Sequence, residues 1–274
     1  MASGSHTGLK WIMRGGYGAR GVIYTIIGGL SIYAALTSAQ VGGTQDSLGR
    51  LRSAPLGQVM LAVIAAGLFA YLIWRVVDAA LDLEDHGTDA KGLLGRAGQV
   101  VTGVFHGAIG VSVAGLAFGF GGGGDGAQGW TRWLLSQPLG RVWVAAAALI
   151  LGGAGIYYIH KGWTGHYKSH LRCTALTERI DPALTFGLAA HGVLIMLIGL
   201  SLGAAALDGD PQRAGGLGQA LDLLRGMVWG RVALGAAGVG LLGYALYNFI
   251  EAGYRVVPRF SGPDVRTLAQ KASL

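Results

Sequence analysis

Residues 53–80 read SAPLGQVMLAVIAAGLFAYLIWRVVDAA, a proline-containing turn and then an apolar run without a charged residue between Gly57 and Trp74. A helix needs about 20 mostly apolar residues to cross the hydrocarbon core of a bilayer. The run is long enough, so it predicts a transmembrane helix over 57–80. Five further stretches have the same character: 18–40, 97–120, 140–162, 183–207 and 228–252.

The composition of the whole chain agrees with a membrane protein. Of its 274 residues 52% are hydrophobic and only 13% are charged, whereas soluble domains carry about 25% charged residues. The 50 glycines suit helices that approach closely in lipid. A net charge of +7 would also suit nucleic acid, but basic residues beside membrane spans follow from topology. We therefore predict the lipid bilayer, and no nucleic acid, as the surroundings.

The basic residues indicate the orientation of the spans. Fourteen of the 21 Lys and Arg residues fall in the segments on the side of both termini, and seven fall in the three loops opposite. Lys and Arg are enriched on the cytoplasmic side of membrane proteins. The sequence therefore predicts that both termini lie in the cytoplasm.

The proline-containing turn is part of an internal repeat. Residues 53–57, SAPLG, recur as SQPLG at 136–140, with a weaker third copy, MVWG, at 227–230. A short amphipathic stretch that carries Arg precedes each copy, and such stretches are typical of helices lying flat at the membrane surface. These stretches are residues 48–53, 130–137 and 217–225.

The repeat predicts an all-α, polytopic protein whose six transmembrane helices form three helical hairpins with short interfacial helices. The hairpins are expected in a quasi-threefold array. The predicted organisation is a cytoplasmic N-terminus over 1–13, repeats over 14–82, 97–163 and 182–255, and a cytoplasmic tail over 256–274.

Two motifs carry a resemblance to a known family. Arg20-Gly21-Val22-Ile23-Tyr24 opens the first repeat, and Pro55-Leu56-Gly57 precedes its second helix. The chain resembles the bacterial membrane domain-of-unknown-function family 1206, which has three tandem units of two transmembrane helices. The second and third units depart from the motif, with Thr102 and Gly187 in place of the arginine. The resemblance implies this fold and a bacterial plasma (inner) membrane location, but no activity.

Two histidines in the spans are candidates for cofactor binding. His106 and His191 align with Tyr24 in the repeats, and the three side chains would approach one another around a threefold axis. Neutral imidazole binds haem iron and other metals. Two other interpretations stay open: hydrogen bonding to backbone carbonyls across a helix contact, and a proton relay.

A charged network is predicted toward the cytoplasmic helix ends, where Arg20, Arg75, Asp78 and Glu251 lie. Arg75 and Asp78 are three residues apart and share a helix face. Such a network would fix the order of the helices, with long side chains reaching the headgroups. A gate or an anion site is the alternative.

The segment after the fourth span contains His160, His166, His170 and Cys173. These residue types are zinc ligands, but their spacing fits no known zinc motif. Aromatic and basic residues lie among them, as is typical of a membrane edge. Both interpretations, a metal site and a membrane edge, remain open.

No hydrolase, metalloprotease or phosphate-binding motif is found in the sequence. We therefore expect a non-enzymatic protein: an accessory or scaffold subunit with membrane-protein partners, or a binder of a small molecule such as a lipid or cofactor. One alternative is a transporter or channel, although none of the six spans contains an internal proline, and transporter binding sites usually lie at broken helices. The other is a haem-binding redox protein that uses His106 and His191.

Overall fold

The computed structural model describes residues 2–37, 44–120, 126–260 and 267–272, which form helices joined by short turns. These ranges contain isolated β-bridges but no β-strand. Six helices are long and apolar enough to cross a membrane. They are α1 (Ala2–Thr37), α3 (Gly57–Leu81), α4 (Ala90–Phe118), α6 (Gly140–Trp163), α8 (Asp181–Asp208) and α10 (Gly230–Tyr254). The all-α, six-span prediction is confirmed.

Two of these helices extend beyond the predicted spans at their N-terminal ends. α1 begins at Ala2 rather than near residue 18, and α4 begins at Ala90 rather than 97. The Asp89 side chain caps α4 by accepting from the Gly92 amide at 3.0 Å. Hydropathy measures only the apolar part of a helix, whereas capping decides where the backbone hydrogen bonds begin.

A short helix precedes the second, fourth and sixth spans, which are α3, α6 and α10, as predicted. The short helices are α2 (Thr44–Arg52), α5 (Gly126–Leu135) and α9 (Leu217–Arg225). Two further short helices are α7 (Ala175–Arg179) and α11 (Leu268–Ala272).

The turn between each short helix and the next span depends on glycine. A Cβ on Gly57 would lie 1.8 Å from the Leu51 carbonyl oxygen, and one on Gly230 would lie 1.8 Å from the Arg225 carbonyl oxygen. Only glycine fits this approach, which explains why the repeat retains it. The first two turns also place leucines in the left-handed region, with φ 60° at Leu56 and 59° at Leu139. Each of these spans starts at the glycine, which follows the proline by two residues in repeats 1 and 2.

The six spans pack in the order α4, α3, α1, α10, α8 and α6. Within repeats 1 and 3, α1 packs on α3 and α8 packs on α10. In the described part of the chain, α4 and α6 of repeat 2 are not among the closely packed pairs. The quasi-threefold array is therefore open on one side.

Candidate functional site

A buried arginine lies deep among the spans. Arg20 on α1 is 2% exposed. Its Nη1 donates to the Tyr71 hydroxyl at 2.6 Å and its Nη2 donates to the Tyr244 hydroxyl at 2.5 Å. Tyr71 lies about 15 Å along α3 from its end at Leu81, at 1.5 Å per residue. The guanidinium is thus held well inside the hydrocarbon region.

No carboxylate neutralises this guanidinium in the described ranges. Its Nε is buried without a hydrogen-bond partner, and no ion pair of Arg20 occurs there. The Cζ atom lies 4.6 Å from the Tyr71 ring centroid and 5.6 Å from that of Tyr244, so aromatic faces supply part of the missing stabilisation. Arginine stays charged in proteins, so a net positive charge remains in this position.

An aromatic cluster adjoins the arginine. His191 on α8 stacks on Tyr244 with ring centroids 3.6 Å apart. Tyr24 meets His191 edge-on at 5.1 Å, and Tyr158 on α6 does so at 5.0 Å. The structure therefore brings the Tyr24 and His191 rings into contact.

His106 stands on the other side of the arginine. Its ring lies 5.0 Å from the Tyr71 ring and 5.6 Å from that of Phe105. Nδ1 lies 2.8 Å from the Thr102 carbonyl oxygen. Because a carbonyl only accepts, Nδ1 carries the proton, and Nε2 of the neutral ring is a lone pair buried without a partner. His106 and His191 are thus close to the same arginine but sit against different tyrosines.

Charged residues form a second layer toward the end of α3. Arg75 Nε donates to the Tyr71 hydroxyl at 3.0 Å, and Nη1 lies 3.6 Å from Asp78 Oδ2. Gln99 on α4 donates from Nε2 to Asp78 at 2.9 Å and to Glu84 at 3.3 Å. Tyr71 therefore connects this layer to Arg20.

Arg255 ties the layer to the end of α10. It donates to Glu84 and to Glu251, and the side chains of all three are at most 4% exposed. Burial alone would raise the pKa of Glu84, but the charges of Arg255 and Arg75 outweigh it and hold that pKa well below its usual range. Tyr247 donates to Glu251 and accepts from Lys161 of α6 at 3.0 Å.

The predicted network is thus gathered only in part. Arg75 pairs with Asp78, whereas Glu251 pairs with Arg255 and Arg20 binds tyrosines. Sequence reasoning missed Glu84 and Arg255 because 171 positions separate them. The acidic residues after α3, on a side that is otherwise basic, were the available signal.

The four candidate zinc ligands are not gathered into one centre. The His166 and His170 rings are 6.3 Å apart, and Cys173 donates to Glu178 at 3.0 Å. Among the residues with described positions, no group of three or more His, Cys, Asp or Glu side chains could hold a metal ion. Burial and the charge of Arg255 lower the pKa of His170 to about 4.

Comparison with known proteins shows the family to which the chain belongs. The family model described as Domain of Unknown Function (DUF1206) matches residues 15–82, 97–165 and 186–255. The chain belongs to this family. The resemblance seen in the sequence is confirmed, and the three matches of this DUF1206 protein each cover one pair of spans.

One curated relative is the uncharacterized protein YxxB of Bacillus subtilis (strain 168). It is 29% identical to this DUF1206 chain over 262 residues, which cover 90% of the chain and 91% of the relative. No solved structure matches the chain. The relatives therefore support a bacterial membrane protein with an internal repeat, and the argument for function depends on the site.

Proposed function

We propose that this protein is a non-enzymatic, membrane-embedded binder of an anionic amphiphile, with Arg20 as the anchor for the oxyanion. The protein would act in the bacterial plasma membrane with both termini in the cytoplasm. The distribution of Lys and Arg supports that orientation.

The observation that carries the proposal is the uncompensated charge of Arg20. A guanidinium in a membrane span costs at least about 2.5 kcal/mol and is a functional candidate for that reason. Here the available partners are neutral tyrosine hydroxyls and ring faces. A carboxylate or phosphate group would supply the missing charge and accept from the free Nε.

The neighbouring histidine suits the same ligand. His106 Nε2 is a buried lone pair without a partner, and its ring lies against Tyr71, whose hydroxyl accepts from Arg20. The site therefore offers one unpartnered donor and one unpartnered acceptor. A phosphate monoester that keeps one proton can satisfy both, whereas a carboxylate can satisfy only the arginine.

The haem alternative fits the arrangement less well. His191 has Tyr244 stacked on its face and Tyr24 and Tyr158 against its edges. A porphyrin plane needs open space beside the imidazole, which these rings occupy. A Soret band from the purified protein that is lost in His106→Ala would favour haem over the anion.

Transport is the second functional class, because a buried arginine can also be a transient binding site for an anion that crosses the membrane. The six spans are continuous helices without internal breaks, whereas transporter sites usually use broken helices. Uptake of the bound acid into proteoliposomes would separate a transporter from a binder.

The test is equilibrium binding of a radiolabelled long-chain fatty acid to the detergent-purified protein. We expect Arg20→Gln to weaken binding at least about tenfold, because hydrogen bonds to charged groups contribute about 1.5–3 kcal/mol. Arg14→Gln is the matched control, since Arg14 lies on the same helix but is exposed and stacks on Trp11. The uncharged methyl ester should not compete. Equal binding of the ester, or unchanged binding by Arg20→Gln, would contradict the proposal.

A further inference from the structure

The gap between α4 and α6 has a cause in the repeat. In repeat 1 a Cβ on Gly67 would lie 2.4 Å from the Cβ of Ala19, and in repeat 3 a Cβ on Gly240 would lie 2.2 Å from the Cβ of Ala190. These glycines let the two helices of a repeat touch. The position that corresponds to them in repeat 2 is Ile150.

Large side chains occupy the space where the helices of repeat 2 would meet. Ile150 and Tyr157 on α6 are seven residues apart and share a face, and they are 54% and 52% exposed. Phe105 on α4 is 53% exposed. A Cβ on Gly98 would meet nothing within 4 Å, whereas one on Gly16, its counterpart in repeat 1, would lie 2.6 Å from Tyr71 Cα. We call Gly98, Phe105, Ile150 and Tyr157 the α4–α6 seam.

The seam leads directly toward the buried arginine. The exposed Phe105 ring touches His106, the His106 ring touches Tyr71, and the Tyr71 hydroxyl accepts from Arg20. Three consecutive contacts therefore separate the lipid-facing surface from Arg20. On the tight sides of the array, glycine contacts between α1 and α3 and between α8 and α10 close off such a route.

We infer that the α4–α6 seam is the lateral entrance of the site and the seat of the apolar chain of a bilayer-resident amphiphile that carries an oxyanion. The inference rests on the proposed function and specifies its ligand, because a water-soluble anion would not need an apolar seam open to the lipid. Charge complementarity selects the occupant. Within the described residues, Arg20 behind the seam has no carboxylate partner, so an apolar helix of a partner protein would leave its charge unsatisfied.

The experiment uses the full chain in micelles of a non-ionic detergent, which supplies no oxyanion, with Cys173→Ser removing the single cysteine. A fluorophore is attached either at Ile150→Cys in the seam or at Leu149→Cys, which is 78% exposed. About 100° of helix rotation separates these neighbouring positions, so Leu149 faces the surrounding detergent. The probe is a long-chain fatty acid with a nitroxide on its chain, added at low mole fractions.

We expect quenching of the Ile150 label to saturate with the mole fraction of the acid, and quenching of the Leu149 label to rise linearly. The unlabelled acid should reverse the saturable part, and its methyl ester should not. Linear quenching at both positions would overturn the seam as a binding groove.

A second variant separates the seam from the anchor. If Arg20→Gln removes both the saturable quenching and the radioligand binding, both proposals stand. If radioligand binding depends on Arg20 while the seam label quenches linearly, the proposed function stands and the seam inference is overturned. If saturable quenching survives in Arg20→Gln, a chain occupies the seam but Arg20 is not its anchor, which overturns the proposed function.

Discussion

Repeats 1 and 3 bring their two helices together through glycine, while the two helices of repeat 2 stay apart and carry bulky, half-exposed side chains at the corresponding positions. The contrast is clearest at one aligned position, where Gly67 and Gly240 pack against alanines and Ile150 is 54% exposed. The same supersecondary unit can therefore make a closed wall or an opening, depending on one small residue. The lateral access to the site therefore lies in repeat 2, where Ile150 stands at the position of the glycine.

The largest effect is expected from copying the residue of the open repeat into a closed one. In Gly240→Ile the new side chain would overlap Ala190, whose Cβ lies 2.2 Å from the position of the added Cβ. Overpacking costs about 1–3 kcal/mol and occasionally more, and we expect more here because the nearest atom is the Cβ of Ala190, which has no flexible side chain that could move away. The midpoint of thermal unfolding in detergent measures it.

The reverse substitution, Ile150→Gly, is the control. It should cost about 1 kcal/mol of helix propensity and leave the protein folded, because the side chain is half exposed. Equal losses of stability in the two variants would mean that α8 and α10 are packed no more tightly than α4 and α6.

The next effect concerns the ends of the closed repeats. Glu84 follows α3 and Arg255 follows α10, and their ion pair is buried. Glu84→Gln should cost about 3 kcal/mol, because removing one partner of a buried pair leaves an uncompensated charge.

Asp85→Asn breaks the neighbouring ion pair with Arg259, in which both side chains are about half exposed. It should cost less than about 1 kcal/mol. Chemical unfolding of the two variants side by side would check this ranking, and a reversed order would refute it.

A smaller difference is expected between two equivalent tyrosines. Among the described residues, the Tyr71 hydroxyl of repeat 1 accepts from two arginines, Arg20 and Arg75. The Tyr244 hydroxyl of repeat 3 accepts from one arginine, Arg20, and shares its other hydrogen bond with the uncharged Tyr158. Tyr71→Phe should therefore lower the stability by about 1.5–3 kcal/mol, and Tyr244→Phe by less. If Tyr244→Phe lowered the free energy of unfolding more than Tyr71→Phe does, Tyr71 would not be the link between the two layers.

The smallest effect at neutral pH is a pH dependence that arises outside the membrane-spanning segments. The pKa of His170 is about 4 in the folded protein, below the value of about 6.5 for an unperturbed histidine. Between these values the unfolded chain binds more protons, so stability falls as the pH falls from about 6.5 to about 4. Arg255 and Lys161 lower this pKa, and Glu84 opposes them. His170→Gln should flatten the stability profile in that window and leave it unchanged above it.

The sequence was enough for the spans, the repeat and the pairing of Arg75 with Asp78, because these depend on local patterns. Gly57, Gly140 and Gly230, on which the turns depend, were also visible in the aligned repeats. The opening at Ile150 was not, since an isoleucine in an apolar span carries no sign of its neighbours. The Glu84–Arg255 pair was hidden for a related reason, because a contact across 171 positions leaves no local pattern.

The central claim, that repeat 2 is open where its counterparts are closed, can be tested by distances between spin labels in nanodiscs. Three equivalent label pairs, one per repeat, are available: Val22 with Ala66, Val104 with Leu149, and Val193 with Val239. We predict a longer distance for the pair in repeat 2 than for either of the others. Three equal distances would contradict the account, because the α4–α6 seam would then be closed in the membrane.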